Sequence, residues 1–465
     1  MGDIVRQIQS LVWGPALVLL LLLAGINFTI LLRGLQLRKL GTALWLALVR
    51  RREADGEGDI SHYQALTTAL SATVGTGNIA GVATAIAAGG PGALFWMWIA
   101  GLLAMSTRYA EAVLGVRFRE TDQRGEKSGG PMCYLEHGLG GGKLGRGLAI
   151  AFAVLAAGAA LGIGNGVPAQ AVADTVSGSF GTPRWLVALV AAAAVGAVVL
   201  GGIRSIGRVT GVFVPVMLVA YAVGVGALLW AHADRIPEAF ELVFGAAFGG
   251  RAAAGGALGY TVLQAMRSGI GRAVFSSEAG LGTGAIAAAA ARTREPVRQA
   301  LVAMSGTFID TLVVSTLTGL AILVTGSWTA GAEGADVARI AFETGLPGPW
   351  GGLVLTVGLA LFAFSSMLGW AYYGERSLAY LAGDRVIAPY RLGFTLLVGL
   401  SALVELDIAW RVSDVLHGLM AVPNLLGLVL LAGIVRRETR SYFGRRGSEA
   451  EGGAARADRR ADGGG

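Results

Sequence analysis

The chain contains many apolar runs of about 20 residues, and this feature excludes most soluble folds. Residues 11–32, for example, contain no charged side chain. Only 14% of the 465 residues are charged, whereas soluble proteins carry about 25%. In lipid a helix satisfies its own backbone hydrogen bonds, so such runs form transmembrane helices. The sequence therefore predicts an all-α, multi-pass membrane protein.

We predict eleven transmembrane helices and four divisions of the chain. An extra N-terminal helix and a basic loop occupy 1–59, two five-helix repeats occupy 60–231 and 257–436, and a disordered tail occupies 437–465. Without the first helix, ten core helices remain. The predicted spans are 11–32, 60–89, 91–117, 147–178, 183–201, 208–231, 257–291, 298–326, 350–382, 386–405 and 411–436.

The basic residues predict the orientation. Of the 37 Lys and Arg residues, 27 fall in one set of loops and the tail, and six fall in the opposite set. Because cytoplasmic loops are enriched in Lys and Arg, the N-terminus is expected outside and the tail in the cytoplasm, in a prokaryotic inner membrane. This topology explains the net charge of +7 without nucleic acid as a partner. Cys133 is the single cysteine and excludes an internal disulfide.

The predicted span 60–89 is interrupted by poor helix formers. The letters VGTGN, residues 74–78, place two glycines, a threonine and an asparagine in its middle. An unwound helix in lipid leaves N–H and C=O groups unpaired, which costs several kcal/mol each unless another group pairs with them. Freed carbonyls before Gly75 suit a small hard cation, and the N–H groups of Thr76 and Gly77 suit a carboxylate. Asn78 has two alternative roles: it caps the second half of the helix, or it contacts a second ion or the substrate.

A second interruption is predicted in the span 257–291. The letters MRSGIGRAVF place Ser268, Gly269 and Gly271 at the expected break, and EAGLGTGAIA downstream is the alternative. Such glycines can also serve only for close helix packing. Because clustered glycines occur in the first helix of both five-helix halves, we favour two broken helices in inverted repeats, which points to a transporter binding site near the bilayer midplane.

Further polar residues lie inside predicted spans. Gln170 is either a ligand or a helix–helix hydrogen-bonding residue. Ser365 and Ser366 either bond back to carbonyls one turn earlier or complete an oxygen shell for a cation. Trp370 either limits the pocket or fills the core. The intramembrane acids are further candidates for a direct role: Asp174, Glu278, Asp310 and Glu375.

No zinc-protease, nucleophile-elbow or phosphate-loop motif is present, which argues against an enzyme and an ATP-driven pump. The segments GTGNIAGVATAIAAGGPGALFWMW, FSSEAGLGTG and FAFSSMLGWAYYGE instead resemble signatures of the alanine/glycine:cation symporter family. The resemblance covers roughly residues 60–436. It implies a leucine-transporter-type fold with ten core helices in two inverted repeats, here with one extra N-terminal helix. It also implies sodium-coupled uptake of L-alanine, often with glycine and D-alanine.

The resemblance also implies roles for individual residues. The substrate carboxylate would lie on Thr76 and Gly77, and its ammonium group would meet Gln170 and the backbone near Gly269, with Trp370 as a wall. By similarity to the wider fold, the sodium ion would bind five residues, through carbonyl oxygens of the first three and hydroxyls of the last two: Ser71, Val74, Phe362, Ser365 and Ser366.

The sequence therefore predicts a secondary active symporter for a small neutral amino acid, functional in the bilayer as a monomer. Two alternatives remain. In the first, protons replace sodium, with Glu278 or Asp310 as the titrating group. In the second, the chain is a sensor that binds the amino acid without transporting it.

Overall fold

The computed structural model describes residues 2–50, 56–248, 261–332, 334–404 and 407–445, and these are nearly all helical. The all-α prediction is thus confirmed. The described residues include one small hairpin, formed by β1 (Glu120–Thr121) and β2 (Lys127–Ser128). The two strands are antiparallel, with Glu120 opposite Ser128.

Thirteen α-helices precede residue 249. A π-helical segment at Gly162–Gly166 lies between the ninth and tenth helices, and a 3-10 turn at Thr76–Asn78 lies between the fifth and sixth. The helices are α1 (Gly2–Val12), α2 (Pro15–Leu31), α3 (Leu35–Arg38), α4 (Leu40–Leu48), α5 (His62–Thr73), α6 (Ala80–Gly89), α7 (Gly92–Arg117), α8 (Pro131–Gly138), α9 (Lys143–Leu161), α10 (Val167–Phe180), α11 (Arg184–Val199), α12 (Gly202–Ala231) and α13 (Ile236–Ala247).

Nine more follow residue 260, and a second π-helical segment lies at Phe308–Val314. After the last of them, residues 432–445 are also helical. The helices are α14 (Val262–Ser277), α15 (Thr283–Ala289), α16 (Pro296–Thr307), α17 (Ser315–Thr325), α18 (Ala335–Gly345), α19 (Trp350–Ala382), α20 (Ile387–Leu403), α21 (Asp407–Leu419) and α22 (Ala421–Leu430).

The described residues contain eight helices long and apolar enough to cross a membrane, or nine if α5 and α6 count as one bent span. The predicted count of eleven is not reached by this measure. One reason is that α11 has only 16 residues. The other is that the predicted span 257–291 consists of two short helices, α14 and α15, and its first residues lie outside the described part.

The outer surface of the bundle is apolar, as lipid contact requires. Along α12, valines at positions 212, 216, 219 and 223 are each at least 60% exposed. Their spacing of three or four residues places them on one helix face. The opposite face of the same helix is buried and includes Thr210, Val214, Met217 and Tyr221. The helix therefore separates a lipid-facing side from a side that packs on the core.

Two predicted irregular segments are helical. The basic loop after the first span contains α3 and α4. The tail predicted from 437 begins too early, because residues 437–445 continue a helix. Tertiary contacts explain this: the Thr439 hydroxyl lies 2.9 Å from the Tyr109 hydroxyl, and Glu438 pairs with Arg117 at 3.0 Å. Residues 446–465 lie outside the described part of the chain.

Candidate functional site

The first predicted break is present at the predicted place. Helix α5 begins at a capping box formed by Ser61 and Gln64, and it ends at Thr73. Val74 and Gly75 are extended, and the chain then re-enters helix through Thr76–Asn78. The two halves of the span are bent by 64°. The glycine-containing stretch therefore interrupts the helix.

Asn78 holds this break together. Its side-chain oxygen accepts a hydrogen bond from the Gly75 N–H at 3.2 Å, so it caps the second half of the span. Its amide nitrogen donates to the Asp310 carboxylate at 2.8 Å and to the Ser315 hydroxyl at 3.3 Å. Asp310 also accepts from the Ser276 hydroxyl at 3.2 Å. Asn78 therefore links the break to Asp310 in the π-helical segment Phe308–Val314. Through Asp310 it is also linked to Ser276 of α14.

Oxygen atoms from α5 and α19 meet beside the break. The Ser365 hydroxyl lies 3.2 Å from the Ser71 carbonyl and 2.9 Å from the Phe362 carbonyl. The Ser366 hydroxyl lies 3.1 Å from the Phe362 carbonyl. A Cβ atom added to Gly75 would lie 2.8 Å from the Ser366 Oγ. Four of the five residues predicted to bind sodium thus lie close to one another: Ser71, Phe362, Ser365 and Ser366. The fifth, Val74, immediately precedes Gly75.

The oxygen atoms that meet here are neutral. Carbonyl and hydroxyl oxygens suit a hard cation, as carboxylates do. Across the described ranges, no group of three or more His, Cys, Asp or Glu residues is arranged to hold a metal ion. Ser71, Phe362, Ser365 and Ser366 thus bring only neutral oxygen atoms together beside the break.

Thr76 and Gly77 are half-buried, whereas residues 70–75 immediately before them are buried. A Cβ atom on Gly77 would lie 3.8 Å from the Phe275 ring and from the Ser276 backbone. The predicted carboxylate-binding turn therefore faces the end of α14. Sequence reasoning did not single out Phe275, because one aromatic residue in an apolar run gives no signal of its own.

The second break lies downstream of its preferred prediction. Helix α14 runs without interruption from Val262 to Ser277, through the residues predicted to break it. The interruption falls at 278–282, in the alternative segment. Glu278 has φ 50°, and Gly280 and Gly282 have φ 94° and 89°. Glycine adopts this left-handed region readily, and other residues rarely do.

Gly269 is a packing residue in a continuous helix, so the break predicted at this position is not there. A Cβ atom at this position would lie 2.2 Å from the Ala93 carbonyl oxygen of α7. The two helices therefore approach closely here, and only glycine fits between them. Two residues later, Gly271 has no heavy atom within 4 Å of such a Cβ.

Gly269→Ala is expected to lower the free energy of unfolding by about 2 kcal/mol or more, because the new methyl group meets backbone that cannot rotate away. Thermal unfolding of the purified protein in detergent measures this effect. Gly271→Ala is the matched control, and we expect its melting temperature to stay equal or to rise slightly, since alanine is the better helix former. Equal losses in both variants would contradict the packing role of Gly269.

A buried ion pair on α7 holds the second break. The Glu111 carboxylate accepts hydrogen bonds at 2.9 Å from the N–H groups of Gly280 and Gly282 and from the Asn424 amide. Arg108 donates to the Ser277 carbonyl at 2.5 Å and lies 3.5 Å from Glu111. One side chain therefore pairs with N–H groups freed by the break, and the other pairs with a freed carbonyl.

Sequence reasoning missed Arg108 and Glu111 in this role. A signal was present, because two charged residues spaced by three lie deep inside the predicted span 91–117. Charged residues at such positions are functional candidates. Their partners, however, lie about 170 positions away along the chain, and a single sequence gives no indication of that pairing.

Trp370 joins an aromatic cluster above the breaks. Its ring centroid lies 5.3 Å from that of His417, which in turn lies 5.6 Å from Trp13 and 5.7 Å from Phe275. Trp370 packs closely against Gly164, in the π-helical segment before α10, where a larger residue would not fit. The cluster therefore contacts both broken helices.

Gln170 lies in a helix–helix contact. Its amide donates to the Val404 carbonyl at 3.1 Å, and its oxygen accepts from the Trp410 indole at 2.7 Å. Both ends of the side chain are thus used between α10 and the region of α21. This geometry favours the helix–helix alternative over the predicted contact with a substrate ammonium group.

A cavity of about 730 Å³ lies beyond the aromatic cluster, at the end of the bundle where α1 begins. Trp13 and Phe275 belong to both the cluster and the cavity lining. The lining also contains four arginines and one acid: Arg6, Arg267, Arg272, Arg411 and Asp414. We call this end of the bundle the α1 end. Phe275 thus contacts this cavity and also lies next to the Thr76–Gly77 turn.

The opposite end carries the basic loops, and we call it the basic end. Here Arg119 donates hydrogen bonds to the carbonyls of Glu57, Ala289, Ala291 and Thr293. Residues 57–60 and 290–293 run side by side, with the Arg292 N–H 2.7 Å from the Ile60 carbonyl. The segments outside both broken helices are therefore fastened to each other at this end.

Arg376 on α19 fastens the hairpin to the bundle. Its guanidinium lies 2.7 Å from Asp122, within hydrogen-bonding contact of Glu126 and 3.3 Å from Glu375. The Lys127 N–H of the same hairpin donates to the Asp59 carboxyl at 2.7 Å. Burial raises the pKa of Asp59 above its usual value. We call the contacts of Arg119 and Arg376 the basic-end clamp.

The fold agrees with comparisons to known proteins. A family profile described as the sodium:alanine symporter family matches residues 1–455. The chain belongs to the sodium:alanine symporter family. Membership makes it a cation-coupled symporter of alanine, a membrane transporter and not an enzyme, and it implies sodium as the cotransported ion.

Curated relatives of this symporter cover most of its length. The sodium/alanine symporter AgcS of Methanococcus maripaludis is 46% identical over 453 residues, covering 97% of this chain and 99% of that protein. The sodium/proton-dependent alanine carrier protein of Bacillus sp. strain PS3 is 32% identical over 394 residues, covering 81% of this chain and 86% of that protein.

The symporter is also similar to a solved structure, that of MhsT in complex with L-phenylalanine. The TM-score is 0.52 at 15% identity, and the match covers 82% of this chain and 98% of that one. At this identity the comparison shows the fold alone. The leucine-transporter-type fold predicted from the sequence motifs is confirmed.

Proposed function

We propose that this symporter imports L-alanine, with glycine and D-alanine as further substrates, in cotransport with sodium across a prokaryotic inner membrane. The observation that supports this proposal most is the 64° break in the α5–α6 span beside the neutral oxygens of α19. The basic end is then cytoplasmic, the α1 end is outside, and the protein functions as a monomer. Residues 60–231 and 257–436 form the two inverted repeats, each beginning with a broken helix.

The proposed sodium site uses Ser71, Val74, Phe362, Ser365 and Ser366. Carbonyls freed at the end of α5 and hydroxyls of α19 together replace part of the hydration shell of the ion. Sodium bound there stabilises α5 and α19 against each other. Because the transported charge is positive, an inside-negative membrane potential adds about 2.3 kcal/mol per charge per 100 mV to the driving force.

The proposed substrate site is the turn at Thr76 and Gly77. Backbone N–H groups at the start of a helical segment carry partial positive charge, so a carboxylate binds there without an arginine. Trp370, through the aromatic cluster that it forms with His417 and Phe275, limits the length of the side chain. A small zwitterionic amino acid fits this chemistry best.

Uptake of labelled alanine into proteoliposomes tests the proposal. We expect accumulation only with an inward sodium gradient at fixed pH, and competition by glycine and D-alanine. The control is the same liposomes with choline replacing sodium at equal ionic strength. Accumulation without sodium would overturn the proposed coupling.

Proton coupling is a second candidate, favoured by one specific observation. The buried Asp310 carboxylate receives hydrogen bonds only from neutral donors, those of Asn78, Ser276 and Thr311, among the described residues. A buried acid of this kind is a proton carrier in many transporters. A proton gradient without sodium would then drive uptake. Binding of alanine without accumulation under either gradient would instead indicate a sensor.

Ser366→Ala is expected to raise the sodium concentration for half-maximal uptake about tenfold, because removing one oxygen ligand costs about 1.4 kcal/mol of cation binding. The rank of alanine against glycine should not change, since the side chain does not contact the amino acid in this proposal. Ser377→Ala is the matched control, because the Ser377 hydroxyl also bonds one turn back on α19, to the Tyr373 carbonyl at 2.8 Å. An unchanged sodium dependence in Ser366→Ala would reject its role as a ligand.

A further inference from the structure

A second cavity, of about 630 Å³, lies at the basic end, far along the chain from the proposed sodium and amino-acid sites. It is formed where α2 ends, by α3 and the start of α4, and by the helical residues 436–443. Five basic side chains line it, and no acidic side chain does: Arg33, Arg38, Lys39, Arg436 and Arg440. We call this group the basic pocket.

The charges of the basic pocket are not neutralised by the described part of the chain. None of the five has a described carboxylate within the 4.0 Å of an ion pair. Other charged residues on the same C-terminal helix do form ion pairs. Glu438 pairs with Arg117 at 3.0 Å, and Arg445 pairs with Glu295 at 3.2 Å. Five like charges that share one cavity repel each other, and a bound anion removes this cost.

Apolar side chains form the rest of the same cavity. Leu31, Leu32 and Leu35 line it beside the arginines. The Phe443 ring also lines it, and the Lys39 ammonium lies 5.2 Å from the centre of that ring. A cavity for a free inorganic anion needs no such surface. The combination of cations and leucines suits a molecule with a charged head and a hydrocarbon part.

The position of the basic pocket matches the boundary between lipid tails and headgroups. It begins where the 28-residue apolar span ends at Leu31. On α4, Trp45 is 48% exposed and the following Leu48 is 45% exposed. Tryptophan at a membrane interface and apolar residues pointing away from the protein are typical of a helix that lies at the headgroup level.

We propose that the basic pocket binds the headgroup phosphate of an anionic phospholipid, with its acyl chains along the apolar surface at Leu31 and Leu32. Arginine pairs give bidentate hydrogen bonds to phosphate oxygens. Basic pockets between transmembrane helices on the side with the basic loops are known to take such headgroups. This inference does not depend on which solute or ion the protein transports.

The test is a titration of the full-length purified protein in detergent with short-chain phosphatidylglycerol, compared with phosphatidylcholine of the same chain length. We expect phosphatidylglycerol to bind at least tenfold more tightly. Arg436→Gln with Arg440→Gln should weaken this binding on the order of 20-fold, because each basic residue contributes a factor of about five. Phosphatidylcholine binding should not change.

The matched control is Arg437→Gln with Arg385→Gln, two exposed arginines outside the cavity lining. This pair removes the same charge and should leave phosphatidylglycerol binding within twofold. Elution volume and sodium-driven alanine uptake show whether each variant is folded. Equal affinity for the two lipids, or an equal loss in both double variants, would overturn the proposal. So would displacement of phosphatidylglycerol by millimolar inorganic phosphate, which would identify free phosphate as the ligand.

Discussion

Glu111→Ala is expected to reduce alanine uptake at least 100-fold. The substitution leaves the N–H groups of Gly280 and Gly282 and the Asn424 amide without their acceptor in the core of the bundle. Each unpaired buried donor costs about 1–3 kcal/mol, and Arg108 also loses its acid. Breaking a buried ion pair alone costs about 3–5 kcal/mol. The second break would therefore change shape, and with it the positions of Phe275 and Glu278.

Uptake per mole of folded protein and the melting temperature in detergent together measure this effect. Glu111→Gln is the control, since its side-chain oxygen can still accept from the freed N–H groups. We expect Glu111→Gln to retain uptake within about tenfold of the unsubstituted protein. If Glu111→Ala and Glu111→Gln lose uptake equally, uptake depends on the charge of Glu111 and not on its capping of the break. If neither falls, the ion pair has no role in the site.

Gly75→Ala is expected to abolish saturable sodium dependence in the experimental range, a shift of about 100-fold or more in half-maximal sodium. The added Cβ atom would lie 2.8 Å from the Ser366 Oγ, inside the proposed cation site. The backbone itself is not the obstacle, because Gly75 has φ −140°, which any residue adopts. The methyl group therefore acts by displacing the Ser366 hydroxyl.

Gly81→Ala on α6 is the control, because no heavy atom lies within 4 Å of a Cβ atom at that position. We expect its sodium dependence to stay within twofold. Combining Gly75→Ala with Ser366→Ala removes the clash as well as the ligand, so the double variant should be no worse than Ser366→Ala alone. Additive losses would place the effect of Gly75→Ala outside the cation site.

The two breaks show what a single sequence can and cannot locate. At Gly75 the glycines coincide with threonine and asparagine inside one span, and the structure bends there as predicted. Around the second break, Gly269 and Gly280 cannot be distinguished in the sequence, but they have different physical roles. Gly269 admits a neighbouring backbone at 2.2 Å from its would-be Cβ, and Gly280 adopts φ 94°. Neither the contact nor the dihedral angle can be inferred from local composition.

The polar residues of the site show the same limit. Ser365 and Ser366 are adjacent in sequence, and their nearness to Ser71 was predictable from the family resemblance. The side-chain oxygen of Gln170, in contrast, accepts a hydrogen bond from Trp410, 240 positions away. Glu111 caps a break 169 positions away. Long-range pairs such as these depend on how helices pack, and one sequence without relatives carries no measure of that packing.

The basic-end clamp has a consequence for energy conservation in the cell. Opening at the basic end would separate Arg376 from the hairpin acids Asp122 and Glu126, and Arg119 from the carbonyls of Glu57 and Thr293. A carrier that opened this way without cargo, or with sodium alone, would dissipate the ion gradient. We expect the clamp to make such slippage rare, because opening would separate the buried Arg376 from its acids.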